Sequence, residues 1–304
     1  MTRQLVAQPV SVVNAMTVDV EDYFQVSAFE GFAPRYRWHE FECRVEANTE
    51  RLLSIFDDTK IKATFFILGW VAERYPHLVR EIAQRGHELA SHGYLHRLVY
   101  DTTREGFRED IRKAKGLIES ASGGHVFGYR APSYSITPRS LWALDILIEE
   151  GYRYDASIYP IHHDRYGIPP SPRQPYVIRR AAGAIMEAPG TAVRVGPLNL
   201  PVGGGGYFRL LPYEWTAWGL RRINRTEGRG AIFYLHPWEL DPGQPRLPAG
   251  SMTRLRHYTN LDKTEARLRR LIAEFSWGPL RSLLGAAIAH APEGPLAVPL
   301  PYLW

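Results

Sequence analysis

A single cysteine, Cys43, serves a chain of 304 residues, so no intramolecular disulfide can brace the fold. That excludes a disulfide-stapled scaffold and is compatible with a reducing compartment. No stretch approaches the apolar length that a membrane span needs. The opening residues, Met1-Thr2-Arg3-Gln4-Leu5, lack the apolar core and small-residue cleavage site of a secretory signal. The expectation is a cytoplasmic protein without a membrane span. Charge of one sign is scarce too: 37 Lys and Arg stand against 32 Asp and Glu, a formal +5. No basic run is long enough for a nucleic-acid tail, and Arg179-Arg180, Arg221-Arg222 and Arg269-Arg270 read as solvated element ends. Core material is plentiful instead. With 45% hydrophobic residues and 12% aromatics, the chain can bury one large domain or two.

The most informative stretch is His87-Glu88-Leu89-Ala90-Ser91-His92-Gly93-Tyr94-Leu95-His96. His92 and His96 are four apart, so one helical turn would aim both imidazoles at one point. Upstream, Thr17-Val18-Asp19-Val20-Glu21-Asp22 puts three carboxylates after a β-branched run. Two imidazoles and a carboxylate make a ligand set for a hydrolytic divalent metal. A strand alternates its side chains, so Glu21 shares the side of Asp19 if the strand continues. If the chain turns there, Asp22 takes the ligand position instead.

Periodicity predicts strands over residues 12–19 and 63–68, with a helix over 48–56 between them and Asn48 as its N-cap. A second helix is expected over 71–85, stopped by Gly86. Residues 102–105 read as a capping box for a helix towards Ser120. A short strand over 126–130 carries Arg130, and a helix opens at Thr137-Pro138 and ends at Gly151. Alternating strands and helices argue for parallel βα units, whose functional residues gather at strand carboxyl ends. Asp19, Arg130 and His236 all sit at such ends. From Tyr159 onward prolines interrupt regular structure. The four glycines at 203–206 can bring backbone close to a ligand. Helices follow over 213–224 and 262–275, and the apolar tail ending in Tyr302-Leu303-Trp304 should pack on the body.

At the motif residues the chain resembles the polysaccharide deacetylases, the NodB-homology or carbohydrate esterase family 4 group. Thr17-Val18-Asp19 is similar to that family's first motif and His92-Gly93-Tyr94-Leu95-His96 to its second. Tyr129-Arg130-Ala131-Pro132, Tyr154-Asp155-Ala156-Ser157 and Tyr234-Leu235-His236 resemble the third, fourth and fifth. Asp19-Val20-Glu21-Asp22-Tyr23-Phe24, Gly203-Gly204-Gly205-Gly206-Tyr207-Phe208-Arg209 and His236-Pro237-Trp238-Glu239 resemble the subgroup linked to exosortase-associated exopolysaccharide loci. Two departures stand out: the usual Asp-Asp pair is stretched to Asp-x-Glu-Asp, and Gly93 replaces a small hydroxyl residue.

The resemblance implies an α/β fold: a distorted, incomplete (β/α) barrel of the NodB-homology type. It would be a single catalytic domain with a C-terminal family-specific extension. The division expected is 1–11 as N-terminal extension, 12–158 as the first part of the barrel, 159–290 completing barrel and cleft, and 291–304 as a Pro-rich tail. It implies a metal-dependent hydrolase that removes N-acetyl groups from a polysaccharide or its precursor in exopolysaccharide biosynthesis. The divalent ion would be zinc first, with cobalt, manganese or nickel as alternatives, held by His92, His96 and Glu21 or Asp22. Asp19 would act as general base and His236 as general acid. Arg130 would fix Asp19, and Asp155 would orient His236. Leu235 would wall an acetyl-methyl pocket, while Tyr134, Tyr207, Trp238 and the backbone at Gly205 would bind the saccharide. Two rivals remain: an allantoinase-like amidohydrolase on a small non-sugar amide, and an inactive carbohydrate-binding relative.

Overall fold

The run Val13–Val20 is buried on both faces after its first residue, as a strand inside a parallel sheet must be. Its side chains divide by parity. Met16, Val18 and Val20 join the apolar layer beneath the helices, whereas Ala15 faces the sheet's other side. The same alternation separates Phe65 and Ile67 from Phe66, and Phe233 and Leu235 from Ile232. The computed structural model describes residues 12–289. The N-terminal extension 1–11 and the tail 291–304 lie outside the described residues.

The strands are β1 (Val13–Val20), β2 (Thr64–Ile67), β3 (Glu88–Ser91), β4 (Gly128–Tyr129), β5 (Tyr154–Asp155), β6 (Tyr176–Arg180), β7 (Gly183–Glu187), β8 (Ala192–Val195), β9 (Leu198–Pro201), β10 (Ile232–Leu235) and β11 (Ser276–Gly278). The helices are α1 (Val45–Thr59), α2 (Gly69–Arg74), α3 (Pro76–Gln84), α4 (Arg104–Ser122), α5 (Ala143–Glu149), α6 (Gly205–Leu210), α7 (Tyr213–Thr226), α8 (Ser251–Tyr258), α9 (Leu261–Glu274) and α10 (Leu280–Ala289). A nine-stranded sheet runs β10-β1-β2-β3-β4-β5-β7-β6, with β11 also paired to β1. Every pair in it is parallel except β6–β7, and β8–β9 form a separate antiparallel hairpin. The sheet ends at β10 and β6 rather than closing, so the barrel is incomplete.

Its inner face packs Ala15, Phe66, Ala90, Tyr154, Ala156 and Ile232, with Leu280 and Leu284 of α10 against them. Thr64 and Glu88 inside the sheet hold that helix. Thr64 Oγ1 accepts from Leu280 N (2.7 Å) and Glu88 Oε2 from Arg281 N (3.0 Å). These are helix-start donors with no intrahelical partner, and a carboxylate there also suits the helix dipole. No described helix is long and apolar enough to cross a membrane.

Several local expectations shift. The helix expected over 71–85 is two helices, because Pro76 restricts Tyr75 and starts a new helix at its own position. Helix α1 begins at Val45, so Asn48 is inside it rather than capping it. Its side chain donates to Asp241 Oδ2 (3.3 Å). The cap before α4 is Thr103, which accepts from Gly106 N (3.0 Å), and not a box on Thr102. The strand expected over 126–130 is ordered as a ladder only at Gly128–Tyr129.

Candidate active site

Asp19, Arg130 and His236 converge at the carboxyl ends of β1, β4 and β10. Asp19 Oδ1 accepts from Arg130 Nη1 at 2.6 Å, both groups almost fully buried. Arg130 is held in turn by Thr17 Oγ1 (2.9 Å) and by the Ala156 carbonyl (3.3 Å), with its guanidinium 4.1 Å over the Phe66 ring. The second carboxylate oxygen of Asp19 lies 3.9 Å from His236 Nε2.

Ligand atoms of Glu21, His92 and His96 all lie within 4.8 Å of one another, and all three residues are buried. Their approach does not come from a helical turn. His92 follows β3 directly, and Gly93 (φ +74°) and His96 (φ +51°) take left-handed conformations in a loop. A side chain at Gly93 would place Cβ 2.8 Å from Asp110 Oδ1. That carboxylate braces the loop by accepting from Tyr94 N (2.7 Å) and Leu95 N (3.2 Å). Ser133 and Tyr134, in the loop after Arg130, are left-handed too. Non-glycine residues held this way store strain that the surrounding packing must support.

The donor chemistry fits a cation. His92 Nδ1 donates to the Arg130 carbonyl (2.8 Å), since a carbonyl only accepts, and this leaves Nε2 as a lone-pair donor. Burial lowers the His92 pKa to about 4, so the ring is neutral and fit to ligate. Glu21 Oε2 is buried 2.8 Å from His96 Nε2 and has no further polar partner among the described residues. Burial alone would raise the Glu21 pKa, but His96, with His236 and His92 behind it, holds it well below the carboxylate range. Glu21 Oε1 is oriented by the Trp238 indole N–H (3.1 Å).

The choice between the two acidic candidates follows from the backbone. The chain turns after Val20, but it is Glu21 that meets the histidines. Asp22 points away and accepts from Tyr23 N (2.9 Å), Arg44 N (2.6 Å) and Val45 N (2.9 Å), serving the start of α1. Glu21→Gln is therefore expected to lose bound metal, measured by elemental analysis, while Asp22→Asn keeps it and lowers thermal stability. Metal loss in Asp22→Asn with retention in Glu21→Gln would reverse the assignment.

Asp155 does not orient His236. Its Oδ1 accepts from Ser157 Oγ, and its neighbour is Glu187, another buried carboxyl. Burial and the Asp155 charge raise Glu187 well above the carboxylate range, so Glu187 is the protonated partner. The residue that serves His236 is Glu239. Its Oε2 faces His236 Nδ1 at 3.2 Å and accepts from the His236 backbone N–H at 3.0 Å. Arg209 donates to the other oxygen at 2.6 Å. Burial would lower the His236 pKa, but the Glu239 bond and the charges of Glu21, Glu239 and Asp19 outweigh it and raise it to about 9. The signal was local: His236-Pro237-Trp238-Glu239 is a capping-box spacing with proline at the first helical position.

Around these groups lies a cleft of about 180 Å³, with Tyr134, Tyr166, Tyr234 and Trp238 in its walls. Trp238 stacks on His236, centroids 5.1 Å apart. Leu235 does not line it: parity turns its side chain into the layer under the helices. Tyr207 stands behind Tyr166, to which its hydroxyl is bonded, rather than on the cleft wall. Nor does the glycine run form a wall. Gly203 O accepts from Tyr234 N (2.8 Å), and a Cβ on Gly204 (φ +114°) would sit 2.1 Å from the Tyr234 carbonyl oxygen. On Gly205 it would meet the Tyr234 ring at 2.5 Å. The run lets backbone pass against β10, and it reaches the cleft only by backing Tyr234.

Comparison with known proteins agrees with this architecture. Residues 35–154 match the polysaccharide deacetylase family and residues 156–285 match a domain of unknown function, DUF3473. A peptidoglycan-N-acetylglucosamine deacetylase of Bacillus cereus is 31% identical over 98 residues, 32% of this chain and 36% of that one. A peptidoglycan deacetylase of Helicobacter pylori is 29% identical over 119 residues, 39% of each. A chitooligosaccharide deacetylase of Rhizobium leguminosarum bv. trifolii is 28% identical over 109 residues, 32% of this chain and 51% of that one. The matched stretch thus spans about a third to a half of these curated relatives. Among solved structures, a Mycobacterium smegmatis protein classed with the polysaccharide deacetylases aligns over 93% of both chains, with TM-score 0.62 and 21% identity. The peptidoglycan deacetylase PdaC of Bacillus subtilis aligns over 93% of this chain and 95% of its own, with TM-score 0.51 and 13% identity. With the parallel sheet, the ordered motifs and these matches together, the chain carries a polysaccharide deacetylase (NodB-homology) domain followed by DUF3473, the pairing that marks the exosortase-associated deacetylases.

Proposed function

We propose that the protein is a metal-dependent N-deacetylase acting on an N-acetylated polysaccharide or its precursor, in exopolysaccharide biosynthesis. One observation carries this reading: Asp19 and His236 face each other, 3.9 Å apart at their nearest atoms, beside the Glu21, His92 and His96 group. A divalent ion on that group, zinc by preference for two imidazoles and a carboxylate, would polarise the amide carbonyl and acidify water.

The protein's own groups divide the proton work. Arg130 occupies Asp19 Oδ1 and leaves Oδ2 towards the cleft, where it takes the proton of the attacking water. His236 keeps its Nδ1 proton on Glu239, so Nε2 is the atom that gives a proton to the departing nitrogen. Trp238 covers one face of that imidazole and excludes water from it. Tyr134, Tyr166 and Tyr234 offer ring faces and hydroxyls to a sugar.

The test is acetate release from a panel of N-acetylated oligosaccharides and small non-sugar amides, with chelator and then with zinc restored. Release from the saccharides alone, abolished by chelator and recovered with metal, supports the reading. Hydrolysis confined to the small amides would favour an allantoinase-like activity, and zinc-insensitive inactivity on both would leave a binding protein.

A further inference from the structure

The cleft has a rim that the deacetylation chemistry does not use. Arg165 and Arg256 both line it, although they are far apart in sequence. Arg256 lies on α8, which is seated against the catalytic wall. His257 stacks on Trp238 with centroids 4.1 Å apart, and the His257 carbonyl accepts from Arg209 Nη1 at 2.7 Å. Arg165 lies on the opposite segment, between His163 and Tyr166, whose rings stack at 3.8 Å. That segment is tied down by the Ile168 N–H on the Tyr159 carbonyl (2.8 Å).

The charges inside the cleft already have partners. Asp19 is neutralised by Arg130 and Glu239 by Arg209, while Glu21 belongs to the histidine group. His163 faces the exposed Asp164 at 3.0 Å, the one acid in the rim segment. Arg165 interacts with the Tyr100 hydroxyl, and neither Arg165 nor Arg256 forms an ion pair among the described residues. Two exposed arginines thus line a cleft whose acids are committed elsewhere. A neutral sugar would call for aromatic faces and uncharged donors. Two forks that pair with carboxylate or phosphate oxygens call for an anion.

We infer that the rim binds an anionic group carried by the substrate itself, through Arg165 and Arg256. This rests on the proposed deacetylase reading only for the identity of the substrate as a saccharide. The anion is either the carboxylate of a uronic acid in the sugar chain or the diphosphate that joins a sugar to its carrier. Both present oxygen pairs that a guanidinium fork accepts.

Equilibrium binding separates this from turnover. Calorimetric titrations of the Asp19→Asn protein would use three probes: a neutral N-acetylglucosamine tetramer, an N-acetylated tetramer with alternating glucuronate, and a short-chain prenyl diphosphate N-acetylglucosamine. At low salt one anionic probe is expected to bind about tenfold or more tightly than the neutral one, the scale of a charge-assisted bond. That advantage should vanish when Arg165→Gln and Arg256→Gln are added, and shrink in about 1 M salt, where the screening length is roughly 3 Å. The glucuronate probe winning identifies a polymer, and the diphosphate probe winning identifies a carrier-linked sugar. Equal binding of all three probes, or an advantage that survives both arginine substitutions, overturns the inference. Selective anion binding, with no acetate released from any glycan by the zinc-supplied protein that keeps Asp19, would sink the deacetylase reading and leave the anion subsite standing.

Discussion

Asp19→Asn is expected to lower turnover by a factor on the order of 10²–10⁴, the range for a positioned general base. Bound metal should stay near that of the wild type, because Asp19 is outside the Glu21, His92 and His96 group. The variant carries a second cost that the sequence does not announce. Asp19 is the buried counter-charge of Arg130, and breaking such a pair costs about 3–5 kcal/mol where nothing replaces it. Asparagine keeps an oxygen that can accept from Arg130 Nη1, so the loss should fall below that figure. Thermal unfolding, metal analysis and acetate release on one preparation separate the two effects. Near-wild-type turnover with metal retained would remove Asp19 from the base role. Asp22 could not inherit it without moving, since its carboxylate is committed to three backbone N–H groups.

The second large effect belongs to His236. His236→Ala should slow amide cleavage by a factor on the order of 10²–10⁴, the range for a positioned general acid. It should spare substrates whose leaving group needs no proton, such as an activated acetate ester. The pH dependence carries the sign. A general acid must be protonated, and His236, raised to about 9, is protonated below that value and loses its proton as pH climbs through it. Its limb is therefore the basic one. Glu239 stays anionic over this range: burial works against the charge, but Arg209 and His236 hold its pKa down to about 2. Glu239→Gln keeps an oxygen for the His236 backbone N–H but removes the charge, so the basic limb should move to lower pH. A limb that does not move, or equal losses on ester and amide in His236→Ala, would falsify the acid assignment.

Much of the chemistry was readable from residues close in sequence. The apolar, β-branched run over residues 12–19 and the one before His236 read as buried strands, and strand ends picked out Asp19, Arg130 and His236. Such patterns are visible because alternation and end position are properties of one segment. The resemblance to the polysaccharide deacetylases likewise rests on short motifs, among them Thr17-Val18-Asp19, His92 to His96 and Tyr129-Arg130-Ala131-Pro132, each contained in one segment.

What the tertiary structure decided lies between segments. The sequence left Glu21 and Asp22 as equals. Their difference comes from Arg44 and Val45, whose backbone N–H groups claim Asp22, and from Trp238, which is 217 residues from Glu21 and donates to it. The same holds for the partner of His236: a motif pointed to Asp155, but β5 directs that carboxyl to Glu187 while Glu239 has Arg209 beside it. Arg165 and Arg256 carry no local mark, and they share a site only because α8 and the segment after β5 line the same cleft. Local sequence determined which groups could do the chemistry, since a side chain's acid–base and ligand character travels with the residue. Which groups act together depends on backbone donors, packing and charge supplied by distant segments, and only the folded chain brings those within bonding distance.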